Sequence, residues 1–201
     1  METTNSSNRE WLVWLNKLGP VLVLLLIYGL FAAFGSPNFK SLDNLETIAR
    51  QATIVSTAVL GATLVIILGG IDLSVGSIIA LSTVTIASLL VADTPPLEAA
   101  FGGVLAGALC GVLNGFLITR FRMVPFIVTL GTLLIVRGAA KGLGDEQTIV
   151  TSSTWLNQIT ASLPPDRQFL IVPYGVWLIL LLALVVGGLL RYTSLGRHIF
   201  A

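Results

Sequence analysis

Six long apolar runs dominate this chain: Leu18 to Phe34, Ala52 to Gly70, Val75 to Ala92, Leu97 to Thr119, Val124 to about Gly142, and Phe169 to Leu190. Crossing the hydrocarbon of a bilayer takes roughly 20 residues of helix, with about 17 to 25 tolerated. Most of the runs meet that length. The fifth is the weakest, because Arg137 interrupts it and Lys141 follows; it spans if both side chains snorkel to the interface. Inside lipid every backbone N–H and C=O must be satisfied within a helix or a closed barrel. Barrel strands would alternate polar and apolar positions, and runs such as VLVLLLIYGLF and GVWLILLLALVVGGLL do not. The expectation is an all-α polytopic bundle of about six spans. Breakers fall between the runs at Gly35-Ser36-Pro37-Asn38, Gly69-Gly70, Thr94-Pro95-Pro96 and Pro164-Pro165.

Composition agrees. Only 10% of the 201 residues are charged, against about one quarter in an ordinary soluble domain. The net charge of +1, with no run of Lys or Arg, gives nucleic-acid binding no electrostatic basis. The single cysteine, Cys110, excludes an intrachain disulfide framework and a multi-cysteine metal site; no metal site is expected. The first run follows Arg9 and Lys17, as a cleaved signal peptide would, but five further apolar runs favour an uncleaved span.

Basic residues set the orientation. With the N-terminus in the cytoplasm, Arg9, Lys17, Arg120, Arg122, Arg191 and Arg197 lie inside, and Lys40, Arg50, Arg137, Lys141 and Arg167 lie outside. The short turn holding Arg120 and Arg122, and the acid-free closing segment, tip the balance toward both termini being cytoplasmic. The expected organisation is a cytoplasmic segment over residues 1–17, a transmembrane domain over 18–190 and a cytoplasmic segment over 191–201. The polar stretch from Leu143 to Gln168 is too short for a soluble domain core.

Three features rise above a generic bundle. Gly103, Gly107, Gly111 and Gly115 recur every fourth residue, which puts them near one helix face where another helix can approach closely. That packing is expected within one subunit rather than between subunits. Asn114, beside this face, either donates an interhelical hydrogen bond or points toward the cytoplasmic interface. Second, Gly69-Gly70-Ile71-Asp72-Leu73-Ser74 joins two apolar runs and holds the one acid between Arg50 and Asp93. Two glycines end a helix and Asp72 or Ser74 can accept from the next helix's free N–H groups; the same residues also suit a broken helix lining a polar pathway. Third, Pro125 suits a helix start, and Thr129 and Thr132 can bond back to the helix, pack, or face a cavity.

Taken in order, GGIDLSVGSIIALS from Gly69, VPFIVTLGTLLIVRGAAKGL from Val124 and the closing TSLGRHIFA from Thr193 resemble the permeases of bacterial monosaccharide ABC importers, the ribose, xylose, arabinose and galactose group. The resemblance runs from about Asn38 to Ala201. It implies a multi-pass permease of the bacterial inner membrane, embedded in lipid and working by alternating access. The implied partners are an ABC ATP-binding subunit, a periplasmic sugar-binding protein and a second permease subunit. It makes Gly69, Gly70, Asp72, Ser74, Thr129 and Thr132 candidates for the substrate pathway or a mobile joint. Gly196, Arg197 and His198 become candidates for an ATPase-docking loop. Family permeases carry more spanning helices than are counted here, so an N-terminal portion is expected, without independent transport.

The chain holds no G-x-x-x-x-G-K-[ST] phosphate loop, so ATP is expected on a partner and no cofactor on this chain. His198 is the one histidine, without a nucleophile constellation around it, and no enzymatic activity is expected. A secondary transporter would carry intramembrane acids or histidines; these runs hold only Glu98, at the start of the fourth, and Asp72 interrupts them between the second and third. A branched-chain amino-acid ABC permease shares a related glycine-Asp-Leu-Ser motif and is the nearer alternative; a noncatalytic membrane scaffold also fits the composition. The isoleucine in GGIDLSVG favours sugar.

Overall fold

A computed structural model of the protein describes residues 6–159, 161–162 and 172–200, with residues 6–17 and 195 as backbone only. The expected Pro164-Pro165 breaker, Arg167, the start of the sixth run at Phe169, and Ala201 lie outside the described residues. Among the described residues every regular element is helical: α1 (Ser6–Phe34), a 3-10 turn (Pro37–Lys40), α2 (Leu42–Ile67), α3 (Val75–Val91), α4 (Pro96–Phe121), α5 (Pro125–Leu143), α6 (Trp155–Ile159), α7 (Tyr174–Tyr192) and α8 (Ser194–Ile199).

The chain divides into two compact units, Met1–Ile48 and Ala49–Ala201. In the first, α1 is one continuous helix through Pro20, so the expected boundary at residue 17 falls inside a helix. The predicted break after it is present: Gly35 N–H donates to Phe31 O at 2.8 Å, and Ser36 accepts from Asn38 N. Phe39 then stacks its ring 5.2 Å from Tyr28 and 5.7 Å from Phe31, folding the turn back on the helix end.

In the second unit α3 packs chiefly on α4 and α5. Prolines punctuate it as their chemistry requires. Pro96 and Pro125 each occupy a first-turn position, where no N–H is needed, and Val124 is extended at φ −66°, ψ 126°, the region a following proline enforces.

Among the described residues four helices are long and apolar enough to cross a membrane: Leu42–Ile67, Pro96–Phe121, Pro125–Leu143 and Tyr174–Tyr192. The fifth run therefore qualifies, at 19 residues, despite Arg137. The shorter apolar helices are Leu18–Phe34 and Val75–Val91. With 17 residues, α3 rises about 25 Å at 1.5 Å per residue, short of a hydrocarbon core of about 30 Å.

Burial is inverted relative to a water-soluble protein. Large apolar side chains such as Ile135 and Leu184, each 74% accessible, face outward, as lipid allows. The buried side chains include Ser74, Ser77, Asn114, Thr129 and Thr132 beside Ala99, Val128, Val136 and Ala140. Without a hydrophobic drive between helices, contact falls to small residues and polar pairs.

Candidate functional site

The site begins where α2 stops. Gly69 has φ +75°, a conformation that glycine adopts without the Cβ penalty. Its N–H donates to Ile66 O at 2.9 Å while the Gly70 N–H donates to Val65 O at 2.9 Å. This crossed pair is the Schellman closure, and it satisfies carbonyls the helix end would otherwise strand. Gly70 is buried, and a Cβ there would stand 3.1 Å from Val65 Cγ1 and 3.6 Å from Pro125 Cβ. The tight neighbour is Val65 on the end of α2; toward Pro125 at the start of α5 the contact would be an ordinary one.

The non-helical segment that follows is fastened from two sides. Thr129 Oγ1 on α5 accepts from Leu73 N at 3.2 Å and lies 3.1 Å from Ile71 O, in reach to donate. It therefore does for Ile71 and Leu73 what a neighbouring residue would do within a helix. From α4, Asn114 Nδ2 donates to Ser74 Oγ at 3.0 Å, and Asn114 Oδ1 accepts from Thr132 Oγ1 at 2.6 Å. Ser74 Oγ in turn donates to Asp72 Oδ1 at 2.6 Å, which also accepts the Ser74 N–H at 2.7 Å. Every proton in the series Thr132, Asn114, Ser74, Asp72 points toward the carboxylate. Hydrogen bonds ending on an anion are stronger than neutral ones and polarise those behind them. The direction of the series fixes which way the Asn114 amide faces.

Asp72 is half-buried and lines a cavity of about 520 Å³ with Thr53, Thr57, Val75, Ile79 and Leu178. The walls are otherwise mostly aliphatic. Thr53 and Thr57 donate their hydroxyls back to Ala49 O and Thr53 O, both at 2.9 Å, so toward the cavity they offer lone pairs. The carboxylate and the two threonines present acceptors, which suits a solute rich in hydroxyl donors. Of the sequence candidates, Asp72 alone is among the residues lining this cavity; Ser74 and Thr129 are consumed in bonds between a helix and the segment, Thr132 in a bond from α5 to Asn114 on α4, and Gly69 and Gly70 shape the turn. Asn114, which the sequence left between two roles, is the hub.

The glycine series divides. A Cβ at Gly103 would run into the Ile86 side chain and stand 3.0 Å from Ser82 O, and one at Gly107 would stand 3.1 Å from Ser82 Oγ. Gly111 and Gly115 have nothing within 4 Å of that position. The reason is helical drift: a four-residue step advances about 400°, so each glycine sits about 40° round from the one before and Gly115 about 120° from Gly103. The contact line runs instead through Ala99, Gly103 and Asn114, all buried.

Gly196, Arg197 and His198 stand on α8. Gly196 is buried where any Cβ would overlap Leu190 O, so glycine permits α8 to fold tightly against the end of α7. Arg197 and His198 are exposed. His198 Nδ1 lies 2.7 Å from Ser194 O; a carbonyl only accepts, so Nδ1 carries the proton in that bond. Among the described residues no group of three His, Cys, Asp or Glu side chains gathers that could hold a metal ion.

Residues 44–201 match the model of the branched-chain amino acid transport system / permease component family. The chain belongs to this permease family. It is a multi-pass, all-helical membrane protein. Curated relatives carry sugar descriptions. The D-allose transport system permease protein of Escherichia coli K12 is 34% identical over 94% of this chain and 57% of its own. The ribose import permease protein of the same organism is 31% identical over 100% and 63%. The L-arabinose ABC transporter permease protein of Azospirillum brasilense is 31% identical over 94% and 55%. The chain thus spans 55% to 63% of the length of these relatives. No solved structure matches. The family's description names branched-chain amino acids, whereas these relatives are described by sugars.

Proposed function

We propose that this chain belongs to the transmembrane permease subunit of an ATP-binding-cassette importer that moves a monosaccharide across the bacterial inner membrane by alternating access. One observation carries the reading: in a family with members described as ribose, allose and arabinose permeases, the one acid between Arg50 and Asp93 stands on a cavity beside a broken helix entry. Hydrolysis of ATP is assigned to a partner subunit, delivery of sugar to a periplasmic binding protein, and the other half of the passage to a second permease subunit. The amino-acid alternative is less favoured, because an amino acid's ammonium and carboxylate would both need charged partners, and the cavity offers one carboxylate among aliphatic walls.

The fastened segment suggests how movement reaches the cavity. Asp72 is bound to α4 and α5 through Ser74 and Asn114, so a displacement of either helix is carried to the carboxylate. Residues 191–201, with Gly196, Arg197 and His198, are assigned to the start of an ATPase-docking loop. The test is uptake of radiolabelled ribose, arabinose, allose and leucine in cells lacking the native permease and supplied with the complete permease and its partners. Sugar uptake without leucine uptake is expected; leucine uptake alone would overturn the cargo class.

Six spans with both termini in the cytoplasm complete the reading, α3 using Leu68 to Ser74 to make up its short length. In a Cys110→Ala background, Ser36→Cys and Ser152→Cys are expected to react with an impermeant thiol reagent from the periplasm, and Ser194→Cys only after the cells are opened. Periplasmic labelling at position 194 would reverse the orientation.

A further inference from the structure

Beyond transport, we infer that the corner between α7 and α8 is a binding site for one anionic phospholipid, with its phosphate between Arg191 and Arg197 and its acyl chain along Gly187 and Leu190. A hollow of about 540 Å³ is lined by Gly187, Leu190, Arg191, Gly196, Arg197 and Phe200. The lining changes character along its length. Gly187 and Leu190 belong to the apolar part of α7, whereas Arg191 stands in its last turn and Arg197 on α8. No acid occurs from residue 172 to residue 200, so neither arginine meets an opposing carboxylate from its own segment.

The depth of the hollow follows from α7 itself. Tyrosines stand at both ends, Tyr174 and Tyr192, separated by a rise of about 27 Å, close to the thickness of the hydrocarbon core. Aromatic residues of that kind mark the two interfaces. Arg191 holds its guanidinium carbon 5.6 Å from the Tyr192 ring centroid, a cation–π arrangement that keeps the charge at headgroup level. Gly187 then lies about one turn inside the apolar region. A soluble partner's acidic side chain would meet the arginines but not the Gly187 end, whereas an amphiphile fills both. Phe200, 65% accessible, supplies an apolar wall beside the headgroup.

Gly196 makes the corner possible, since any side chain there would strike the Leu190 backbone. Thr193 caps the turn, accepting from Gly196 N at 3.3 Å and donating to Leu189 O at 2.6 Å. The fold-back sets Arg197 on the same hollow as Arg191.

The purified full chain in detergent is to be titrated with dioleoyl phosphatidylglycerol or dioleoyl phosphatidylcholine, and retained lipid counted by native mass spectrometry. One phosphatidylglycerol is expected to be retained roughly thirtyfold more tightly than phosphatidylcholine, since each of the two interfacial arginines contributes on the order of 1 kcal/mol toward an anionic lipid and about 1.4 kcal/mol is tenfold. Arg191→Gln with Arg197→Gln should erase the preference. Gly187→Leu, at a position with open space around it, should weaken retention of both lipids with the charges intact. Elution volume in size-exclusion chromatography reports whether each variant still folds. Equal retention of the two lipids by the native chain overturns the site. So does full competition by inorganic phosphate, which would mean an anion site without a lipid. Lipid retention unchanged in the double variant, with loss of ATPase co-purification, would overturn the lipid site and leave the arginines in the proposed ATPase-docking loop alone.

Discussion

Leucine at position 103 is expected to collapse the yield of folded protein, while leucine at position 111 leaves it near normal. At Gly103 the new Cβ meets Ile86 and stands 3.0 Å from the Ser82 carbonyl. The carbonyl belongs to α3, so relief requires the whole helix to retreat from α4. Inserting atoms into a packed contact costs about 1–3 kcal/mol and more where backbone must shift, and parting the helices also forfeits dispersion contacts. The displacement would carry Ser74 away from Asn114, three turns along the same interface. Gly111 has open space around it, and a substitution there should stay within about 0.5 kcal/mol. Gly107 is intermediate, since its near neighbour at 3.1 Å is the movable hydroxyl of Ser82. Thermal stability in detergent, read by size-exclusion of a fluorescent fusion, ranks the three. Equal stability of the leucine variants at 103 and 111 would remove the packing account.

Asp72→Asn is expected to abolish most sugar uptake by the complete permease with little loss of protein. The asparagine oxygen can still accept from Ser74 N and Ser74 Oγ, so the turn should persist. What disappears is the charge. A hydrogen bond to an ionised group contributes about 1.5–3 kcal/mol against about 0.5–1.5 for a neutral one, a difference that lowers transport by about tenfold or more if it acts on the rate-limiting rearrangement. Under the proposed function the same charge would also accept from sugar hydroxyls entering the cavity that Asp72 lines. Uptake, sugar-stimulated ATP hydrolysis and membrane protein level are to be measured together. Normal uptake would reduce Asp72 to a cap, and loss of protein in parallel with uptake would make it a folding residue.

The candidate residues were legible one at a time, but their partnerships were not. Gly69 and Gly70 announced a helix end, because a positive φ and a close approach leave few alternatives to glycine. Asp72 and Ser74 could be read as neighbours through a local turn, and they bond across two residues. Asn114 could not be joined to them. It lies 40 positions from Ser74 and 18 from Thr132. The clue was its eleven-residue spacing from Gly103, which is close to three whole turns; the four-residue glycine repeat drew attention to a line that drifts off the contact. The fifth run looked weaker than the third because of Arg137, yet α5 reaches 19 residues and α3 only 17. A charge near a helix end is tolerated by snorkelling, whereas helix length is limited by where the backbone can be capped.

By itself the sequence determined that this chain is built of membrane-spanning helices and where they break at Gly35 to Asn38, Gly69-Gly70 and Thr94 to Pro96, since lipid demands self-satisfied backbone and glycine and proline act on their own neighbours. Only the tertiary structure decided that Thr132, Asn114, Ser74 and Asp72 form one directed series, that Thr129 fastens the broken segment, and that half the glycines pack. Periodicity assigns a side chain to a face of its helix. It leaves open which helix covers that face, and how far the two are shifted along their axes, because those follow from the mutual fit of surfaces distant in the chain.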